Sequence, residues 1–168
     1  MWTSLLLSAA ALPCVADHAH YQLRSDPSVT AQFHPVARSQ DWRSGLALEV
    51  RIGSSGRSYW FLPWQGGTNG KSNLAWVREA GAPVEGQPLR EDVELFSTDA
   101  EYRFNNEIPR AGQDAPDRLF IPDLAILLFK KTPHNRRDSL DAKSFFDLVG
   151  CTDPAPGAPP NIEFPPVP

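Results

Sequence analysis

A glycine-rich stretch at positions 64–72, WQGGTNGKS, ends in the Gly-Lys-Ser of a phosphate-binding loop. Such a loop needs another glycine five positions before that Gly and a helix directly after it, because successive backbone N–H groups curl around the phosphate. Gln65 stands where the earlier glycine is needed, and residues 73–77 alternate like a strand. The Asn69-Gly70 pair favours a tight hairpin turn. The sequence therefore predicts a turn here and argues against a nucleotide site.

A serine-containing stretch at 53–56, GSSG, has part of the pattern of a hydrolase nucleophile turn. That turn is Gly-x-Ser-x-Gly between a strand and a helix. The residue two places after Ser55 is Arg57, and strand-like runs flank the stretch on both sides. The pattern indicates a hairpin loop between the runs 46–52 and 57–64, and it does not support a serine hydrolase.

Two histidines near the N-terminus are weak metal candidates. If the chain is cut before Asp17, His18 and His20 lie beside a free amine, and imidazole and amine nitrogens both suit copper or zinc. A chain end lacks the surrounding groups that orient true ligands. We therefore predict no metal and no cofactor, and we keep His18, His20 and His34 as ligands only in an alternative hypothesis.

Two carboxylate pairs offer another route to catalysis. Asp92 with Glu94, and Asp99 with Glu101, are spaced to share a strand face, and paired carboxylates can act as general acid and base. Charged residues on the outer face of an antiparallel sheet give the same pattern. An exposed sheet face is the simpler interpretation.

The aromatic run at 59–64, YWFLPW, is the strongest indication of a binding surface. Alternation places Tyr59 on one strand face and Trp60 on the other. Either the strand is buried on both faces, or Trp60 points outward with Trp64 near the following turn. Exposed aromatic clusters bind sugars and protein partners because flat rings bury large areas at little entropic cost. The predicted ligand-binding residues are Tyr59, Trp60, Trp64, Asn69 and Lys71.

Residues 1–16 have the pattern of a secretory signal peptide, with an apolar run from Leu5 to Leu12 followed by Pro13 and small residues. The run is too short to span a bilayer as a helix, and no later run is longer. A cut after Ala16 is expected. Cys151 would then be the single cysteine of the mature chain and would form no internal disulfide.

Alternation with period two from about residue 21 to 129, interrupted by turn residues, predicts one β-rich domain over 17–153. The expected fold is mainly β, an antiparallel β-sandwich of about seven to nine strands or a related barrel, with one short C-terminal helix. The helix is placed at 139–150, between a Ser cap and a Gly stop. The apolar run 124–129 is expected as a buried strand, with a short helix as the alternative. Residues 154–168 form a proline-rich extended tail.

Net charge of −4 with interspersed signs gives no basic field, so nucleic acid is not an expected partner. The sequence predicts a periplasmic or extracellular, non-catalytic binding or accessory protein that engages a glycan or an envelope protein through the aromatic strand and the adjacent glycine-rich turn. After signal removal we expect no membrane span. The alternative hypothesis is an exported hydrolase that uses paired carboxylates or a histidine-bound metal.

Overall fold

Alternating apolar residues build ten β-strands and one helix in the part of the chain that the computed structural model describes, namely residues 14–40, 42–66, 70–77, 92–132, 138, 140–141 and 143–152. The strands are β1 (Ala19–Leu23), β2 (Asp26–Pro35), β3 (Leu46–Ile52), β4 (Arg57–Gly66), β5 (Lys71–Val77), β6 (Asp92–Glu94), β7 (Phe96–Thr98), β8 (Phe104–Asn105), β9 (Arg118–Phe120) and β10 (Phe146–Cys151). The helix α1 is Leu124–Lys131. The predicted mainly β class is confirmed. The proline-rich tail lies outside the described residues.

A single antiparallel sheet contains all ten strands, in the order β6-β5-β4-β3-β2-β1-β10-β9-β7-β8. Only Leu95 separates β6, at one end of this order, from β7 near the other end. The Leu95 N–H also donates to the Ser72 carbonyl, at 2.9 Å. Because one bent segment pairs with β5 on one side and β9 on the other, the sheet curls into a barrel-like form with β8 as an outlying edge strand.

The interior of the curled sheet is filled by the alternate apolar residues of its strands. Ala31, Val50 and Tyr59 lie opposite one another across β2, β3 and β4, and all three are buried. Phe33, Phe61 and Phe146 are among the largest fully buried side chains, and they belong to the same cluster. Burial of rings of this size is the main stabilising contribution to such a domain.

The two predicted hairpins are confirmed. β3 pairs with β4 across the GSSG loop, and β4 pairs with β5 as far as Gly66 opposite Lys71. Gly70 has a φ of +59°, which glycine adopts without steric cost, and residues 67–69 of the predicted turn lie outside the described residues. The stretch leads into β5, whereas a phosphate-binding loop leads into a helix.

The helix lies at Leu124–Lys131, where a strand was the first expectation. Leu124, Leu127 and Leu128 are buried against the main core, whereas Ile126 and Phe129 are exposed. This spacing of buried positions is helical. Because the exposed residues Ile126 and Phe129 are also apolar, the sequence shows an unbroken apolar run and no helical periodicity. Among the described residues, no helix has the length and apolar character needed to cross a membrane.

The segment expected as a helix at 139–150 instead contributes β10. Phe146 pairs with Leu23 on one side and Leu119 on the other, so β10 joins the two halves of the sheet. Apolar residues at 140, 145 and 148 suit a helix in isolation, but pairing on both sides favours the strand. Gly150, read as a helix stop, lies opposite His20 inside the ladder.

Residues just before β1 are tied to β10 by a disulfide between Cys14 and Cys151, whose Cα atoms are 5.5 Å apart. The Ala115 N–H donates to the Cys14 carbonyl at 2.7 Å, and the Ala16 N–H donates to the Gln113 carbonyl at 2.8 Å. Ala16 is fully buried. The expectation that Cys151 forms no internal disulfide is therefore wrong. The predicted cut after Ala16 would remove Cys14 and with it this disulfide.

Candidate functional site

Tyr59, the first of the predicted ligand-binding residues, is a core side chain with 8% of its surface exposed. Its hydroxyl donates to Asp138 Oδ2 at 2.6 Å, and Arg57 Nη1 lies 3.0 Å from the same oxygen. Burial, assisted by the bond to Asp138, raises the pKa of Tyr59 to about 12. Tyr59 is therefore a buried structural residue of the barrel-like sheet and is not placed to bind a ligand at the surface.

Trp60 lies on the outer face of the sheet but is also 8% exposed. It packs with Trp42 and Leu62 in a second buried cluster, and the His34 ring lies 4.9 Å from it. The loop that carries Trp42 covers this part of the outer face. The arrangement with Trp60 pointing into solvent is therefore not the one adopted.

The other predicted ligand-binding residues lie towards the β4–β5 turn. Trp64 is partly buried against the second cluster, and its ring covers the Cα of Gly66 closely enough to exclude a side chain there. Lys71 is exposed and forms an ion pair with Glu94 at 3.1 Å. Asn69 lies outside the described residues. The structure thus brings Trp64 and Lys71 to one end of the β4–β5 hairpin and separates them from Tyr59.

A different group of aromatic side chains lies on or next to β7, β8, β9 and β10, with two rings exposed and three half-buried. Tyr102 is 48% exposed and Phe104 is 62% exposed. Ring centroids within the group are 5.7 Å apart for Phe96 and Phe104, 5.7 Å for Tyr102 and Phe145, and 5.0 Å for Phe120 and Phe145. We refer to Phe96, Tyr102, Phe104, Phe120 and Phe145 as the aromatic surface.

Two arginines stack on the aromatic surface. The Arg118 guanidinium carbon lies 4.0 Å from the centroid of Tyr102, and that of Arg24 lies 5.3 Å from the centroid of Phe145. Asp147 joins them, because it accepts two hydrogen bonds from Arg24 at 2.6 and 2.8 Å and lies 3.4 Å from Arg118. The hydrogen bonds from Arg24 lower the pKa of Asp147. The guanidinium groups are therefore held in place over the rings.

A turn built by Asp99 presents Tyr102 to solvent. Asp99 Oδ1 accepts the backbone N–H groups of Glu101 at 2.9 Å and Arg103 at 3.0 Å. Within this turn Tyr102 has a φ of +64°, an uncommon backbone conformation for a residue with a side chain. Hydrogen bonds from Arg103 lower the pKa of Asp99. The carboxylates of Asp99 and Glu101 thus bind Arg103 and the turn backbone.

A polar pocket of about 190 Å³ lies elsewhere on the outer face, over β1, β2 and β3. His20, Gln32 and Glu49 are opposite one another across these strands, and so are Gln22, Thr30 and Arg51. Val149 of β10 closes one side. We refer to the outward side chains of His20, Gln22, Thr30, Gln32, Glu49, Arg51 and Val149 as the polar pocket.

Glu49 at the base of the polar pocket is bound on both carboxylate oxygens. His34 Nε2 lies 3.0 Å from Oε2, and the Ser58 hydroxyl donates to Oε1. The bond to His34, with that from Ser58, lowers the pKa of Glu49. The carboxylate stands between serine and histidine, so this order differs from a hydrolytic triad, in which histidine contacts the serine.

The histidines proposed as metal ligands have other contacts. His20 Nε2 shares a hydrogen bond of 2.7 Å with the Thr152 hydroxyl, and burial lowers the pKa of His20. His18 lies in the short turn before β1. Within the described ranges, no cluster of three or more metal-binding side chains is present.

These features define the class of protein as a mainly β protein with a curled ten-stranded antiparallel sheet and an internal disulfide. Comparison of the chain with known protein families, with curated proteins and with solved structures finds no match in any of the three. Arguments about function therefore depend on the surfaces of this chain alone.

Proposed function

We propose that this chain is an exported, non-catalytic module that binds a protein partner through the aromatic surface. The observation that carries the proposal is the exposure of Tyr102 and Phe104 beside three further rings. Aromatic side chains exposed together in this way are typical of binding surfaces, because covering them removes a large apolar area from water.

A protein partner suits the aromatic surface better than a glycan does. Sugars stack on open ring faces, whereas Arg118 already covers a face of Tyr102 and the Phe96–Phe104 contact is edge-on. Tyrosine and arginine together are enriched among the residues that contribute most to protein–protein affinity. An open depression of about 460 Å³ beside Phe104, lined by residues 105–109 among others, could accept a partner side chain.

The edge strand β8 adds a second means of recognition. It pairs with β7 on one side, and among the described residues it is the last strand of the sheet, with no strand paired to its outer edge. Strand addition supplies affinity through backbone hydrogen bonds, and neighbouring side chains supply specificity. Phe104 lies in β8 itself, so it would contribute both to the aromatic contact and to recognition of an added strand.

Export is supported by the apolar leader and by the disulfide, since disulfides persist in oxidising compartments such as the periplasm and the medium. The leader would have to be cut upstream of Cys14 for the disulfide to form. Ala9 and Ala11 supply the small-x-small pattern of a signal cleavage site, so we place the cut after Ala11.

The test is the retention of a partner from an extract of the producing cell's envelope by the immobilised oxidised protein. Phe104→Ala removes the most exposed ring of the aromatic surface, and Ile126→Ala is the matched control because Ile126 is 54% exposed on α1 and is not one of the five rings of that surface. We expect Phe104→Ala to reduce retention of one protein species at least tenfold, as truncation of a central aromatic residue does at other interfaces. Ile126→Ala should leave retention unchanged.

Equal retention by wild type, Phe104→Ala and Ile126→Ala would contradict the proposal. The proposal would also be contradicted if glycosidases free of protease abolished retention and protease did not, since the bound component would then be a glycan. A parallel Lys71→Ala variant tests the predicted turn separately. A loss of retention with that variant alone would move the binding surface back to the β4–β5 turn.

A further inference from the structure

The polar pocket lies over β1, β2 and β3, several strands from β8 in the order of the sheet, and it shares no residue with the aromatic surface. Its most informative member is Gln32, whose Nε2 is buried and has no hydrogen-bond partner among the described residues. A buried donor left without an acceptor costs stability, and a bound ligand is one way to supply the acceptor. Gln32 lines the pocket, so a rotation of its amide would bring Nε2 to a ligand oxygen there.

Two opposite charges flank that donor. Glu49 and Arg51 are two residues apart on β3 and lie on the same face, so their backbones are separated by roughly 7 Å. The contacts from His34 and Ser58 hold Glu49 ionised, yet each of its oxygens keeps a further lone pair for a ligand donor. The Arg51 side chain is exposed and makes no ion pair within the part of the chain described.

We propose that the polar pocket binds a small zwitterion of the free α-amino acid class. Its carboxylate would accept hydrogen bonds from Gln32 and Arg51, and its ammonium group would donate to Glu49. The exposed side chain of Val149 offers an apolar wall for a short aliphatic side chain. A volume of about 190 Å³ suits a ligand of this size and is below that of typical cofactor sites.

Other ligand classes fit the pocket less well. An anion without an ammonium group would be repelled by Glu49, and a cation without a carboxylate would be repelled by Arg51. A neutral sugar would offer Arg51 no carboxylate, and it would find no aromatic ring to stack on other than His20, since the Tyr21 ring that also lines the pocket points inward.

The test is calorimetric or NMR titration of the oxidised protein with L-alanine, acetate, ethylamine and D-glucose as separate probes. We expect saturable binding of L-alanine and at least tenfold weaker binding of the other three. Gln32→Met keeps the side-chain length and removes the donor, and Arg51→Met removes the guanidinium. Each should weaken L-alanine binding roughly tenfold or more, because each removes hydrogen bonds to a charged group. The control Arg43→Met changes an exposed arginine outside the pocket and should have no effect.

Stability separates a binding role for Gln32 from a structural one. If Gln32 serves a ligand, Gln32→Met should not lower the urea midpoint of the free protein, since it removes an unpartnered buried amide. Binding of acetate as tight as that of L-alanine, binding of D-glucose alone, absence of L-alanine binding, or unchanged affinity in Gln32→Met would each overturn the proposal.

Discussion

Removal of the Cys14–Cys151 disulfide is the perturbation whose magnitude follows most directly from the structure. The bond joins residues 137 positions apart and connects the segment before β1 to the end of β10. β1 also pairs with β2 and β10 through their backbones. The double variant Cys14→Ser/Cys151→Ser should therefore fold, at lower stability.

The expected loss comes mainly from the unfolded state. A cross-link across 137 positions restricts the unfolded chain, and the chain-entropy relation gives roughly 5 kcal/mol for a loop of this length. Measured losses for native disulfides are generally about 2–5 kcal/mol, because structure in the unfolded ensemble and changes in solvation reduce the effect. With a urea dependence near 2 kcal/mol per molar, the unfolding midpoint should fall by about 1–2.5 M.

The assay is urea unfolding followed by tryptophan fluorescence, for the wild type and the double variant, each with and without reductant. Reductant should lower the wild-type midpoint to that of the variant and should leave the variant unchanged. A wild-type midpoint insensitive to reductant would refute the reasoning. An intact mass showing that the mature chain starts after Cys14 would also refute it, because the bond could then not form.

Two further predictions concern buried polar contacts. The hydrogen bond to His34 is the main contact that lowers the pKa of Glu49 in the folded state. Ionised Glu49 therefore stabilises the fold above its unfolded pKa, and this stabilisation is lost as pH falls through the lower folded pKa. Glu49→Gln should reduce the slope of stability against pH on the acid side, and an unchanged slope would contradict this prediction. Tyr59→Phe removes the hydrogen bond to buried Asp138 and should lower the free energy of unfolding by about 1.5–3 kcal/mol in urea titration, whereas the control Tyr102→Phe, at an exposed hydroxyl, should change it by less than about 0.5 kcal/mol.

The strands with strict alternation were predictable from the sequence. Residues 46–52 and 57–64 each bury alternate side chains against one core, and a glycine-containing loop joins them, so local pattern and tertiary packing agree. The helix at 124–131 was not placed, because exposed Ile126 and Phe129 turn its amphipathic pattern into an unbroken apolar run. β10 was mistaken for a helix because its identity depends on pairing with β1 and β9, which are distant in sequence.

The candidate binding surface was missed for a related reason. Alternation correctly assigned Tyr59 and Trp60 to opposite faces, but it could not reveal that the loop carrying Trp42 covers the outer one. The exposed rings come from positions spread between 96 and 145, so no local pattern contains them.

The exposure of Phe104 follows from how the sheet closes. The bend at Leu95 lets β6 and β7 complete the curled sheet, and β8 is left outside it as an edge strand. Phe104 packs against Phe96 of β7, and 62% of its surface stays in contact with solvent. An apolar side chain in that position realises less than half of its burial on folding, and a partner that covers the remaining 62% would gain about 1–2 kcal/mol. If the proposed partner binds the aromatic surface, the topology that stabilises the interior also gives that partner an exposed ring to cover at β8.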